Sequence, residues 1–185
     1  SPRLFFVGRA LSATGGHGDF RNPGDDSPQD PCNCSERGLS LVVDGETEVR
    51  RAARNELRKG AHAVKIMASG GVASPTDPIA NLQFSETEIR AVVEEAEFWG
   101  RYVMAHAYTV DAIKRCLEFG VRSIEHGNLI DFETAKLDGE MAVAAVKMKS
   151  PADNMVRLRY FFGIYYNHKD YVNLLNIDPQ ASIAL

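Results

Sequence analysis

The sequence predicts an α/β fold built on a parallel sheet, followed by a helical C-terminal tail. Three observations predict it. Short apolar runs alternate with stretches of helical periodicity between residues 3 and 137. The helical stretches close on Gly60, Gly100 and Gly120, each just before the next apolar run. Beyond residue 138 no strand–loop–helix unit recurs. Alternation of this kind indicates right-handed βαβ units. It divides the chain into an α/β part, residues 1–138, and a tail, residues 139–185.

The opening strand is expected at Arg3-Leu4-Phe5-Phe6-Val7, ending at Gly8. A polar segment from Ser12 to Ser40 follows, rich in Gly and Pro. Loops of that length are usually functional or mobile, so this one could gate a pocket. Asp44 is a fair N-cap for a helix over Glu46–Lys59. His62 to Met67 reads as a strand, and Ser69 to Phe84 as a second Gly-rich loop. Ser85-Glu86-Thr87-Glu88 is a capping box. It opens a helix with Ile89, Val92, Val93 and Ala96 on one face. Tyr102 to His106 is the next strand, Val110–Phe119 the next helix and Val121 to His126 the last strand. Asp131 can cap a short helix through Leu137. The tail, with Pro151 and the aromatic run Tyr160 to Tyr166, reads as helical.

Composition excludes several classes. A net charge of −4 leaves no basic stripe of the kind nucleic-acid binding needs. No run reaches the roughly 18 apolar residues of a membrane span. Ser1-Pro2-Arg3 does not open a signal peptide, and the missing initiator Met suggests an excised region. Cys32, Cys34 and Cys116 make neither a disulfide framework nor a tetrahedral metal site. A reducing compartment follows as the expectation, hence a cytoplasmic location.

Three successive strands carry a group able to bind metal or move a proton: Lys65, His106 and His126. In parallel α/β folds, ligands gather at the C-terminal ends of strands, so these three would converge. A single strand histidine is often only a hydrogen-bonded structural residue. A lysine between Val64 and Ile66 is harder to explain, because a buried ammonium must be paired, neutralised or modified. Two options stand: a salt bridge, for instance to Glu125, or chemical modification of the amine.

Val64-Lys65-Ile66-Met67-Ala68-Ser69-Gly70-Gly71 resembles the segment after the fourth barrel strand of the amidohydrolase superfamily. The closest branch is that of imidazolonepropionase-like and prolidase-like metal hydrolases. Ala105-His106-Ala107-Tyr108 resembles its fifth-strand motif, and Ile124-Glu125-His126-Gly127 its sixth. Thr14-Gly15-Gly16-His17-Gly18-Asp19 resembles the loop after its third strand. The resemblance implies a partial (β/α)8 TIM-barrel-like sheet covering strands three to six. It implies zinc or another divalent metal, held by His106, His126 and a carbamate on Lys65. The implied activity is hydrolysis of amide or peptide C–N bonds in a small-molecule or dipeptide-like substrate. Lys65, His106, His126 and Tyr108 would form the catalytic set. His17 and Tyr108 are rim candidates for substrate contact, though local hydrogen bonding would account for them equally.

The chain also departs from that pattern. It has no His-x-His: His17, His62, His106, His126 and His168 are never two apart. Asp153, Asp170 and Asp178 follow residue 138, but none sits on a recognisable late strand. Half a barrel would expose sheet edges, so self-association or a complementing half-barrel is expected. The second reading is therefore an inactive barrel fragment that binds or assembles. The third is a metal-free α/β domain in which Lys65 pairs with an acid.

Overall fold

The computed structural model describes residues 4–24, 39–72, 76–131 and 133–134. The expected tail 139–185 lies outside them, as do Cys32 and Cys34 and the extension of a helix to Leu137. Eight elements follow in order: β1 (Ala10–Ser12), β2 (Ser40–Val42), α1 (Gly45–Arg58), β3 (Val64–Met67), α2 (Glu86–Phe98), β4 (Val103–Thr109), α3 (Val110–Glu118) and β5 (Ser123–Leu129). The strands form one parallel sheet in the order β2-β1-β3-β4-β5. The β3-α2-β4-α3-β5 run supplies the βαβ units that the alternation predicts.

The core lies between the sheet and its helices. Leu11, Val64, Ile66, Val103 and Ala105 come from the strands, and they meet Val49, Ala53, Ile89, Val92, Ala96 and Ile113 from the helices. One face of β3 is fully buried against the helices and the other only partly. The capping box at Ser85 is present in full, with Glu88 as its reciprocal partner. No helix among the described residues is long and apolar enough to cross a membrane.

Three expectations need correction. Residues 4–8 form no strand, and the first strand is Ala10–Ser12. Gly8, at φ +70°, turns the chain before it. Phe5 and Phe6 instead pack edge-on against His62, whose backbone N–H donates to the Phe6 carbonyl at 2.8 Å. The strand that follows begins at Val64, so residues 62 and 63 lie outside it. Second, a short strand, β2, begins at Ser40 and pairs with β1, on the side of β1 away from β3. Third, β4 and β5 run past their histidines. His106 and His126 each stand fourth of seven residues, so neither ends its strand.

Candidate active site

The site is built from the loop after β1, the loop after β3, and the middles of β4 and β5. Lys65 is the second residue of β3, and Val64 and Ile66 beside it are fully buried. Its own side chain therefore takes the other face. Register pairs Lys65 with Met104 and Met67 with His106, so Lys65 and His106 share that face on neighbouring strands. Tyr108 follows on the same face of β4 by alternation.

His126 arrives differently. It pairs with Ala107, and alternation would set it beside Ile124, away from His106. Yet its ring lies edge-on to His106 at 4.8 Å and stacks on Tyr108 at 5.2 Å. The backbone explains this: His126 has φ +78°, in the left-handed region that few non-glycine residues enter. Strain of this sort gathers at functional sites. His17 completes the cluster, its ring parallel to His106 at 4.2 Å. The structure thus brings together all five sequence-predicted site residues: His17, Lys65, His106, Tyr108 and His126.

Electrostatics here are governed by burial. Desolvation pushes Lys65 down to about 8, with the negative charge of Glu125 pulling back. It pushes His106 down to about 3, against the Gly70 carbonyl that favours its protonated form. His126 falls to about 4 for the same reason, helped by Lys65 and His17. Burial raises the Tyr108 hydroxyl. The salt-bridge option for Lys65 is not realised: Glu125 acts on it electrostatically, but no ion pair joins them.

Several neighbours escaped the sequence reading. His106 Nε2 lies 3.1 Å from the Gly70 carbonyl oxygen, which can only accept, so the ring proton sits on Nε2 and Nδ1 keeps its lone pair. Ser69 Oγ accepts from the Tyr108 backbone N–H at 3.1 Å. Asp77, buried, lies 3.1 Å from His17 Nδ1, and the Gln83 side chain accepts from the His17 backbone N–H. The only sequence trace of Asp77 is its place before Pro78 in a Gly-rich loop, a turn signal rather than a site signal.

Does this donor set suit a divalent metal? Among the described residues no group of three His, Cys, Asp or Glu could hold one. Two neutral imidazoles, His106 through Nδ1 and His126, can donate, but two ligands are too few for a hydrolytic zinc. Lys65 can supply the third only if its amine becomes an acid group. A lysine pushed down to about 8 offers far more of the neutral amine that such chemistry requires than an ordinary lysine does. The set therefore fits a metal on that condition.

A parallel α/β sheet with buried bases clustered over its strands defines the class of site. The chain belongs to the amidohydrolase family, whose profile matches residues 5–159. It is 36% identical over 156 residues to ochratoxinase of Aspergillus niger, covering 80% of this chain and 32% of that protein. Among solved structures it resembles a prolidase complexed with N-methylphosphonate-L-proline, at 60% identity and a TM-score of 0.71, covering 76% of this chain and 35% of the other. It also resembles a Xaa-Pro dipeptidase with bound methionine, at 38% identity and a TM-score of 0.64, covering 77% and 34%. The chain spans about a third of the length of these relatives.

Proposed function

We propose that the protein is a metal-dependent hydrolase of amide or peptide C–N bonds, acting on dipeptide-like substrates with a C-terminal proline. One observation carries the reading. Lys65, His106 and His126 meet on one face of the sheet, and burial drives each toward its neutral, donating form. The substrate class follows from the likeness to the prolidase and the Xaa-Pro dipeptidase.

In this reading His106 Nδ1, His126 and a carbamate on Lys65 would hold zinc or a similar divalent ion. When bound, such an ion supplies an acidified water and a polarised carbonyl. The protein's own residues do the rest. The Gly70 carbonyl holds the His106 proton on Nε2, which orients the ring and raises its basicity. Tyr108, kept protonated by burial, is a hydrogen-bond donor for the substrate carbonyl oxygen. His17 contacts the substrate from the loop after β1. The outer edges of β2 and β5 have no strand partner among the described residues. A second copy or a complementing half-barrel would cover them.

The test is elemental analysis after expression with zinc and bicarbonate, beside a Lys65→Ala, His106→Ala, His126→Ala triple variant. About one metal per chain in the parent protein and none in the variant is the result expected of a three-ligand site. Metal-dependent release of proline from Xaa-Pro dipeptides would then extend it to activity. Metal bound equally by both proteins overturns the assignment. No metal in either favours a barrel fragment that binds or assembles, a reading consistent with the missing His-x-His.

A further inference from the structure

The loop after β3 reaches back to the loop after β1, and one carboxylate lies at the contact. Asp77 is only 2% exposed. Its Oδ2 accepts from the Gly71 N–H at 2.9 Å and lies 3.1 Å from His17 Nδ1. A carboxylate oxygen already accepting one N–H takes a second the same way, so the His17 proton belongs on Nδ1. The surroundings of His17 confine it further. The His17 backbone N–H donates to Gln83 Oε1 at 3.1 Å. The ring plane lies within 15° of His106. Gly71 leaves the room it needs, because a Cβ there would come within 1.8 Å of the His17 ring. Gly70 is equally confined: a Cβ would meet the Pro78 carbonyl oxygen at 1.9 Å. One loop thus sets the proton position on two stacked imidazoles, Nε2 on His106 through Gly70 and Nδ1 on His17 through Asp77.

We infer that Asp77 is a positioning residue for His17. It fixes the ring with the proton on Nδ1, so that any substrate group His17 receives is met by Nε2. The substrate half of this inference rests on the hydrolase reading above; the proton position does not. Partners of this kind on metal-ligating imidazoles typically cost about 10–100-fold when lost, and the low end of that range is the expectation for His17.

The experiment is a long-range proton–nitrogen correlation spectrum of the full chain with ¹⁵N-labelled histidine, metal-free at pH 8. The expected spectrum has a proton on His17 Nδ1 and on His106 Nε2. In Asp77→Ala the His17 proton moves to Nε2, while His106 is unchanged. Asp77→Asn keeps it on Nδ1, because its amide oxygen can still accept from both N–H groups. A parent protein with the His17 proton on Nε2 alone overturns the inference, whether or not any variant folds. So does a folded Asp77→Ala protein whose His17 keeps Nδ1–H.

Kinetics with an Xaa-Pro dipeptide give the second readout. Asp77→Ala and His17→Ala should each lower kcat/KM about tenfold or more, the double variant no further than His17→Ala, and Asp77→Asn should recover most of the loss. Additive losses would show that Asp77 does not act through His17. A parent protein that binds no metal and cleaves nothing removes the hydrolase reading, and the spectrum still decides the role of Asp77.

Discussion

The molecule buries charge in two places and handles it in opposite ways. Between α1 and α2, Glu95 is 3% exposed and takes hydrogen bonds from Arg54 at both carboxylate oxygens and from Arg50 at one. Those guanidiniums hold its carboxyl below the ordinary range. Glu56 follows the same plan: burial alone would raise it, but Lys59 and Arg9 bring it down. Over the strands, Lys65, His106 and His126 are desolvated together, and Glu125, whose charge acts on Lys65, forms no ion pair with it. The helix layer satisfies its charge, as structural ion networks must. The strand face gives Lys65, His106 and His126 no ion pair among the described residues, an arrangement that favours their neutral forms.

That contrast is broken most directly by removing one charge from each region. Glu95→Ala should destabilise the chain by about 1 kcal/mol, since exposed Arg54 loses its acceptor and Arg50 keeps Glu46 and Glu94. Lys65→Met should do the reverse and stabilise it by up to about 3 kcal/mol near pH 7. The sign follows from the shift. Between pH 8 and 10.5 the unfolded chain binds a proton that the folded one refuses. The penalty from Lys65 is therefore complete below pH 8 and gone above 10.5, and the gain from Lys65→Met should vanish over the same window. Urea unfolding at pH 7 and pH 10.5 measures both. A destabilising Lys65→Met would mean the lysine is satisfied after all, and the comparison would collapse.

Acid titration sharpens the comparison along a second axis. The imidazoles of His106 and His126 are pushed down to about 3 and about 4 from 6.5. As pH falls from 6.5 toward 4, the unfolded chain takes up protons that these rings refuse, so stability falls. Each ring contributes up to about 1.4 kcal/mol per pH unit. Glu95, held low, loses its contribution only as pH drops below 4.5. In chelator-treated protein, His126→Asn should reduce the slope of the upper window by about half, since His106 keeps its own share, and leave the lower window intact. Flattening of both would show that the two regions are coupled.

Much of this was legible in the sequence, and the exceptions share a cause. The βαβ order, three helices and the Ser85 box follow from periodicity and capping chemistry, both local properties. Lys65 stood out because a lysine between two buried aliphatic residues conflicts with its surroundings. His126 was named, but its route into the site was not foreseeable. Alternation assigns it to the wrong face, and only the φ of +78° corrects that. Asp77 and Gln83 stayed hidden because they act 60 and 66 residues away from His17, across loops whose pairing no local pattern encodes. The opening strand was misplaced by five residues or more, since an apolar run bounded by glycine looks the same whether it pairs or packs on His62.

The smallest effect separates two sites that look alike in sequence. Ser85 and Asp44 both precede helices and both read as N-caps. Ser85 caps α2 through its side chain, so Ser85→Ala should cost about 1 kcal/mol. Asp44 occupies the N-cap position of α1 but makes no side-chain cap bond. Its carboxylate instead accepts from the backbone N–H and hydroxyl of Thr14, in the loop that carries His17. The first turn of α1 is served by Glu88 of α2, which accepts from Gly45 N–H at 2.7 Å. Asp44→Ala should therefore leave α1 protected in hydrogen exchange while the Thr14 amide exchanges faster. Faster exchange through the first turn of α1 would make Asp44 an ordinary cap, and the tie between the helix layer and the His17 loop would be lost with it.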